Sequence, residues 1–333
     1  MKITATLTLV LAALTATARS AGETLAVERL FFVVSDLDRS VAFYRDVIGL
    51  ELIRPTTRMG PQVSEIYGAP GITMDAVNFR LPGRSSTVES LQLLAFHSVH
   101  PAPIKPRLQD PGAVSLVLKV KNLPTILARV KENGVPALFP GQLSVKENGV
   151  PANPTLAVVQ DPDGFFIELQ KTTDYTATTS GNFISSGLGL TVTNTEAALR
   201  LWRDVLGFET QSGRWEKGSK TLADTATLVG SSFRRSRVEL PGSNLTIDLI
   251  EFKANGKPHQ QAGRALQDPG AANVQLRVTD INRVKSKLVA LGSEFVIPCG
   301  PSITFQERLL VAIVRSPDHV FIEATQVIPS QEK

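Results

Sequence analysis

The sequence predicts an α+β fold built from four βαβββ units that pair into two partly open barrels. Three observations carry that expectation. The hexapeptide LQDPGA stands at 108–113 and again at 266–271, and the same offset of 158 residues relates Arg29 to Gly187, Asp36 to Asn194 and Gly49 to Gly207. Within each half a weaker repeat recurs: an apolar strand, a polar turn, an amphipathic helix, then more strands. The 333 residues also suffice for two domains of ordinary size, each burying its own core without disulfides or a structural metal.

The elements follow in order. Met1 and Lys2 give a short positive start, residues 3–14 an apolar run, and Ala16-Thr17-Ala18 a small-x-small cleavage signal. Residues 1–21 therefore read as an export signal, cut after Ala18 or Ala21, which makes the mature protein periplasmic or secreted. The run is too short to span a bilayer, and no other stretch is long and apolar enough. In the first unit Asp36 or Asp38 caps a helix whose Val41, Tyr44 and Ile48 share one face, and Gly49 supplies its left-handed stop. Strands are expected over 51–54, 75–81 and 89–96, with a Pro82-Gly83 turn between the last two. The second unit starts with a strand at 114–120, continues through a helix over 123–133 and ends in a strand at 165–170. Units three and four span 185–252 and 272–327. A Thr-, Ser- and Gly-rich linker at 173–182 then separates a first domain, 24–172, from a second, 183–328. The octapeptide VKENGVPA occurs at 130–137 and again at 145–152, a local duplication in a loop or short strand with no chemistry assigned.

Composition removes several classes of function. Cys299 is the single cysteine, so an internal disulfide, a thiolate metal site and CxxC redox chemistry are all excluded. The net charge of +4 is spread along the chain without a basic run, which argues against nucleic acid as a partner. No GxSxG elbow, P-loop or strand-following GxGxxG is present. His97, His100, His259 and His319 fall on connections and read as solvated loop residues.

The segments VSDLDRSVAFYRDVIGL and DPDGFFIEL, echoed as VTNTEAALRLWRDVLGF and SPDHVFIEA, resemble the vicinal oxygen chelate superfamily of glyoxalase I, bleomycin-resistance proteins and extradiol dioxygenases. The resemblance implies glyoxalase-like barrels made of paired units, and a divalent metal held by ligands on the first and last strand of each unit. The first-strand position, usually histidine, falls on Arg29, Ser115, Gly187 and Asn273; the last-strand position falls on Gln92, Glu168, Asp248 and Glu323. None of the eight is histidine. A guanidinium has no acceptor and stays protonated, so Arg29 cannot ligate. The first domain's set of Arg29, Gln92, Ser115 and Glu168 is therefore a poor transition-metal site. In the second domain Asp248, Asn273 and Glu323 form a weak candidate for Mg²⁺, Mn²⁺ or Ca²⁺, whose alternative is a polar cleft with no ion.

Strand alternation places Arg29, Phe31 and Val33 on one face, and Phe166, Glu168 and Gln170 on one face, with Leu30, Phe32, Ile167 and Leu169 turned toward the helices. If Arg29 faces Glu168, its fixed charge substitutes for the metal and satisfies the carboxylate. The favoured reading is an exported protein that binds a small organic molecule in a barrel cleft without a transition metal. Phe31 and Phe166 give apolar contact; Arg29, Gln92, Ser115 and Glu168 orient polar groups. The alternative is an enzyme, a lyase, isomerase or dioxygenase with Glu168 or Glu323 as general base and an atypical divalent site. A third is a pseudo-enzyme that only associates with a partner. Four units in one chain let a monomer suffice and leave a dimer open.

Overall fold

The computed structural model describes residues 24–83, 90–97, 106–139, 155–176, 181–217, 232–240, 245–253, 264–296, 303–305 and 309–328. The export segment, the second VKENGVPA copy, His100, His259 and Cys299 lie outside them.

Each unit has one plan. Unit one holds β1 (Thr24–Val33), α1 (Leu37–Ala42), β2 (Leu52–Met59), α2 (Pro61–Ile66), β3 (Thr73–Arg80) and β4 (Ser90–His97). Unit two holds β5 (Val114–Val120), α3 (Leu123–Glu132), β6 (Ala137–Phe139), β7 (Leu156–Gln160) and β8 (Phe166–Lys171). Unit three holds β9 (Phe183–Thr191), α4 (Thr195–Leu199), β10 (Glu209–Gln211), β11 (Trp215–Lys217), β12 (Ser232–Glu239) and β13 (Thr246–Phe252). Unit four holds β14 (Ala272–Val278), α5 (Ile281–Ala290), β15 (Glu294–Phe295), β16 (Ile303–Phe305), β17 (Leu309–Arg315) and β18 (Phe321–Val327).

An aspartate or asparagine starts the main helix of every unit. Asp36, Asn122, Asn194 and Asp280 each accept a hydrogen bond from the backbone N–H three positions on, which satisfies a donor that the first helical turn leaves free. Helices α1 and α4 widen into π-helical turns over Phe43–Ile48 and Arg200–Val205. Gly49, at φ +98°, closes the first of these in the left-handed conformation that a side chain would resist.

Pairing between units departs from the expected order of first with second and third with fourth. One sheet runs β15-β17-β18-β14-β1-β4-β3-β2, so it joins unit four to unit one through the antiparallel β1–β14 seam. The other runs β10-β12-β13-β9-β5-β8-β7-β6 and joins units three and two through β5–β9. In every unit the first and last strands are parallel neighbours. Each sheet thus draws one unit from each sequence half, and neither half completes a sheet alone. The seam needs two first strands of matching length and alternation, and each of the four first strands offers that.

The two sheets then share a core. The alternation is as read from the sequence: Leu30, Phe32, Ile167 and Leu169 enter one continuous apolar cluster that also contains residues of all the long helices. Phe32 stacks on Phe165 with ring centroids 3.9 Å apart, tying unit one to unit two. The opposite faces carry smaller, separate clusters. On the first sheet these include Phe31, Val33, Met74, Leu94, Ile313 and Phe321; on the second, Val158, Phe166, Phe233 and Ile250.

Candidate functional site

The eight positions carried over by resemblance divide between the two inner faces according to the observed pairing. Arg29, Gln92, Asn273 and Glu323 share the first sheet; Ser115, Glu168, Gly187 and Asp248 share the second. Two expectations are corrected by this division. Arg29 does not face Glu168, and Asp248 does not join Asn273 and Glu323, because these partners belong to different sheets.

On the first sheet the register sets out two neighbouring rows. Arg29, Gln275 and Glu323 are directly opposite one another across β1, β14 and β18, and Gln92, Phe31, Asn273 and Phe321 lie side by side one step along. Arg29 Nη1 donates to Gln275 Oε1 at 2.9 Å, Gln275 Nε2 donates to Glu323 Oε1 at 2.6 Å, and Asn273 Nδ2 donates to Glu323 Oε2 at 2.9 Å. Glu323 is buried, and burial pushes its carboxyl above the ordinary range although the two amides and the Arg29 charge pull it down. Tyr67, just after α2, packs edge-on against Phe96 at 4.7 Å, and its hydroxyl is raised by burial and by the nearby Glu323. Asn273 Oδ1 is buried without a hydrogen-bond partner. The result is a polar spot with one acidic group, one cation a residue away and an unanswered acceptor, set in an apolar wall.

On the second sheet the same geometry holds different chemistry. Arg235 on β12 donates from Nη2 to Glu168 Oε1 at 2.8 Å and from Nη1 to Asp248 Oδ2 at 3.1 Å. Arg237 adds a bond to Asp248 Oδ1 at 3.0 Å, and Gln170 Nε2 one to Glu168 Oε1 at 2.7 Å. Burial acts to lower the Arg235 pKa, but the charges of Glu168 and Asp248 outweigh it and hold the guanidinium protonated. Beside this bridge lies a recess of about 50 Å³, edged by Lys119, Ser186, Arg237 and Asp248. Glycine relieves crowding in the middle strand: a Cβ at Gly189 would sit a tight 3.1 Å from Ser115 Cβ.

Neither set fits a transition metal. On the second face the position between the carboxylates holds a guanidinium, which a cation would have to expel. On the first, both oxygens of the single carboxylate accept from amides, and the remaining oxygen donors are neutral amides suited at best to a hard ion. Among the described residues no three of His, Cys, Asp and Glu stand together. His97 ends β4 instead of lying in a loop; its side chain is half-exposed, with Nε2 2.9 Å from Asp75 Oδ2, where Arg58 also binds. His319 occupies a left-handed turn position at φ 63°.

Sequence reasoning missed Gln275, Arg235, Arg237 and Tyr67. Gln275 stands two residues after Asn273, hence on the same strand face, and that period alone pointed to it. The pair Arg235 and Arg237 shows the same period in a strand-like stretch, but their target across β13 has no local signal.

The comparisons with known proteins agree with this fold. Residues 26–169 match the model of the Glyoxalase/Bleomycin resistance protein/Dioxygenase superfamily. Over that span the chain matches a domain of that superfamily. Among solved structures, glyoxalase I from Zea mays superposes with a TM-score of 0.56 at 16% identity, covering 90% of this chain and 92% of the maize chain. The V278E mutant of the same enzyme reaches 0.58 with the same identity and coverage. A Bacillus subtilis protein assigned to the dioxygenases gives 0.53 at 15% identity, covering 93% of this chain and 87% of the other. At these identities the likeness is one of fold. The search of curated proteins finds no match.

Proposed function

We propose that this protein is exported and binds a small organic molecule against the inner face of the sheet formed by units one and four, without a transition metal. The observation that carries the reading is the state of Glu323. It is a buried carboxylate held by two amides and no cation, beside an Asn273 oxygen with no partner. Buried polar groups left in this condition are destabilising unless a ligand answers them. Phe31, Met74 and Phe321 supply apolar contact, Arg29 an anion-binding group, and Asn273 Oδ1 an acceptor for a hydroxyl. The class that matches is a hydroxy acid with an aromatic or branched apolar body.

The test is titration of the mature chain, residues 22–333, with phenyllactate by calorimetry. Saturable binding that is weakened at least about tenfold in Arg29→Ala and in Glu323→Gln, yet unchanged in Arg237→Ala on the other sheet, is the expected result. Binding that ignores all three substitutions places the ligand elsewhere. Export is checked by following the cleavage product of the full-length chain, which should begin at Arg19 or Gly22.

The raised carboxyl of Glu323 favours one second reading, an enzyme in which it removes a proton next to a carbonyl. Deuterium entering 2-hydroxyacetophenone in heavy water, with none in Glu323→Gln, would select that reading; no entry in the unmodified protein removes it.

A further inference from the structure

The two sequence halves dock their units through equivalent turns, and the polar groups at the two turns differ. In the first half Asp163, in the turn after β7, accepts from Ser35 N–H at 2.9 Å, Ser35 Oγ at 2.6 Å and Ser40 Oγ at 2.9 Å. Arg39 lies across it, with Nη2 3.4 Å from the carboxylate and 2.8 Å from Ser35 Oγ. Tyr44 adds a bond to Asp161 at 2.9 Å. The matching turn after β17 keeps its aspartate, Asp318, and the counterpart of Ser35, Thr193, whose N–H donates at 2.8 Å. The other partners are gone. Ala197 stands for Arg39, Ala198 for Ser40, Trp202 for Tyr44 and Ser316 for Asp161.

Removing those side chains leaves space as well as charge. A groove of about 520 Å³ runs between the start of α4 and the end of α5, lined by Ala197, Ala198, Leu201, Leu291, Pro317 and Asp318. In the first half a smaller groove of about 290 Å³ beside the corresponding turn is lined by Phe43, Val135, Pro162 and Gly164 and not by Arg39, Ser40 or Asp163. Among the described residues Asp318 forms no ion pair with Lys or Arg. Arg200 at the rim lies near Asp204, whose carboxyl its charge helps to lower after the larger effect of Arg203. Asp318 itself is pushed up by burial, with Thr193 bonds and His319 pulling down and Glu251 adding to the rise.

We propose that this groove binds an organic cation, a guanidinium or primary ammonium on an apolar body. Its charged head would rest on Asp318 where the Arg39 guanidinium rests on Asp163, and its body on Leu201 and Leu291. The first half supplies the template, since there the chain provides the cation from its own helix. Volume suits a ligand of drug-fragment size. Charge-assisted bonding from a guanidinium to a half-buried carboxylate gives the geometry its selectivity.

The experiment uses the full mature protein and benzamidinium as probe, followed by chemical-shift perturbation. Saturable shifts in residues of α4 and α5 are expected, weakened at least tenfold in Asp318→Asn and abolished in Ala197→Arg, which restores the internal cation on an exposed helix position. Benzyl alcohol should not compete. Glu323→Gln should leave the affinity unchanged, which separates this groove from the inner face of the first sheet. Absence of saturation into the millimolar range, affinity unchanged from the unmodified protein in either Asp318→Asn or Ala197→Arg, or equal competition by benzyl alcohol each overturns the proposal.

Discussion

Glu323 and Glu168 occupy corresponding last-strand positions on two sheets of the same plan, yet one is answered by amides and the other by a guanidinium. The difference teaches that the scaffold does not decide the role of such a position; the charge placed opposite it does. With Arg235 fixed between Glu168 and Asp248, the second face is neutralised internally and closed as an ion site. Without such a cation, the first face keeps an acidic group whose burial is only partly offset.

Breaking the bridge should give the largest effect. Arg235→Ala leaves buried Glu168 with no cation and Asp248 with Arg237 alone, and removal of one partner from a buried pair costs roughly 3–5 kcal/mol. Urea denaturation should show the loss, and restoration by the added pair Glu168→Gln and Asp248→Asn would tie it to charge. A smaller loss than about 1 kcal/mol would mean that water reaches the bridge.

Asp161 tests a carboxylate answered only by hydrogen bonds. Burial raises it to about 7, with Asp163 adding to the rise and Tyr44 and two backbone N–H groups opposing it. Because the folded pKa is above the unfolded value, its contribution is complete below about pH 4 and is lost as pH rises through 7. Unfolding free energy should therefore fall on the order of 1–3 kcal/mol across that window, and the fall should be largely absent in Asp161→Asn. Equal pH profiles for the two proteins would contradict the burial argument.

Glu323→Gln should act in the opposite direction to the Arg235 variant. Its raised carboxyl makes the ionised state the costly one, so the neutral amide should stabilise the fold, and more at high pH than at low. Thermal melts at pH 5 and pH 8 would check this, the gain being larger at the higher pH. The smallest change is expected from Arg39→Ala, which makes the first half resemble the second. That half-exposed ion pair is worth under about 1 kcal/mol by denaturation.

The local parts of this fold were legible because their causes are local. The Asp36 cap, the Gly49 stop, and the alternation that sends Phe32 to the core and Phe31 to the inner face all act within a few residues. The candidate site was legible residue by residue through resemblance, but its grouping was not. Which first strand joins β1 depends on a seam to residues 272–278, about 250 positions away, and four similar first strands leave the choice to tertiary packing. For the same reason Arg235 was hidden: an arginine on a strand has the sequence signature of a solvated edge until β13 and β8 bring Asp248 and Glu168 to it.

The seam between β1 and β14 also sets an order of events during biogenesis. Unit one is synthesised first, but its central strand must wait for unit four before its edge is covered, while units two and three can zip together as soon as both exist. Until then β1 presents an unpaired, aromatic-rich edge, the kind of surface on which nascent chains aggregate. A newly made chain of this protein therefore has its longest vulnerable interval at its own beginning, and truncation anywhere before residue 272 makes that interval permanent.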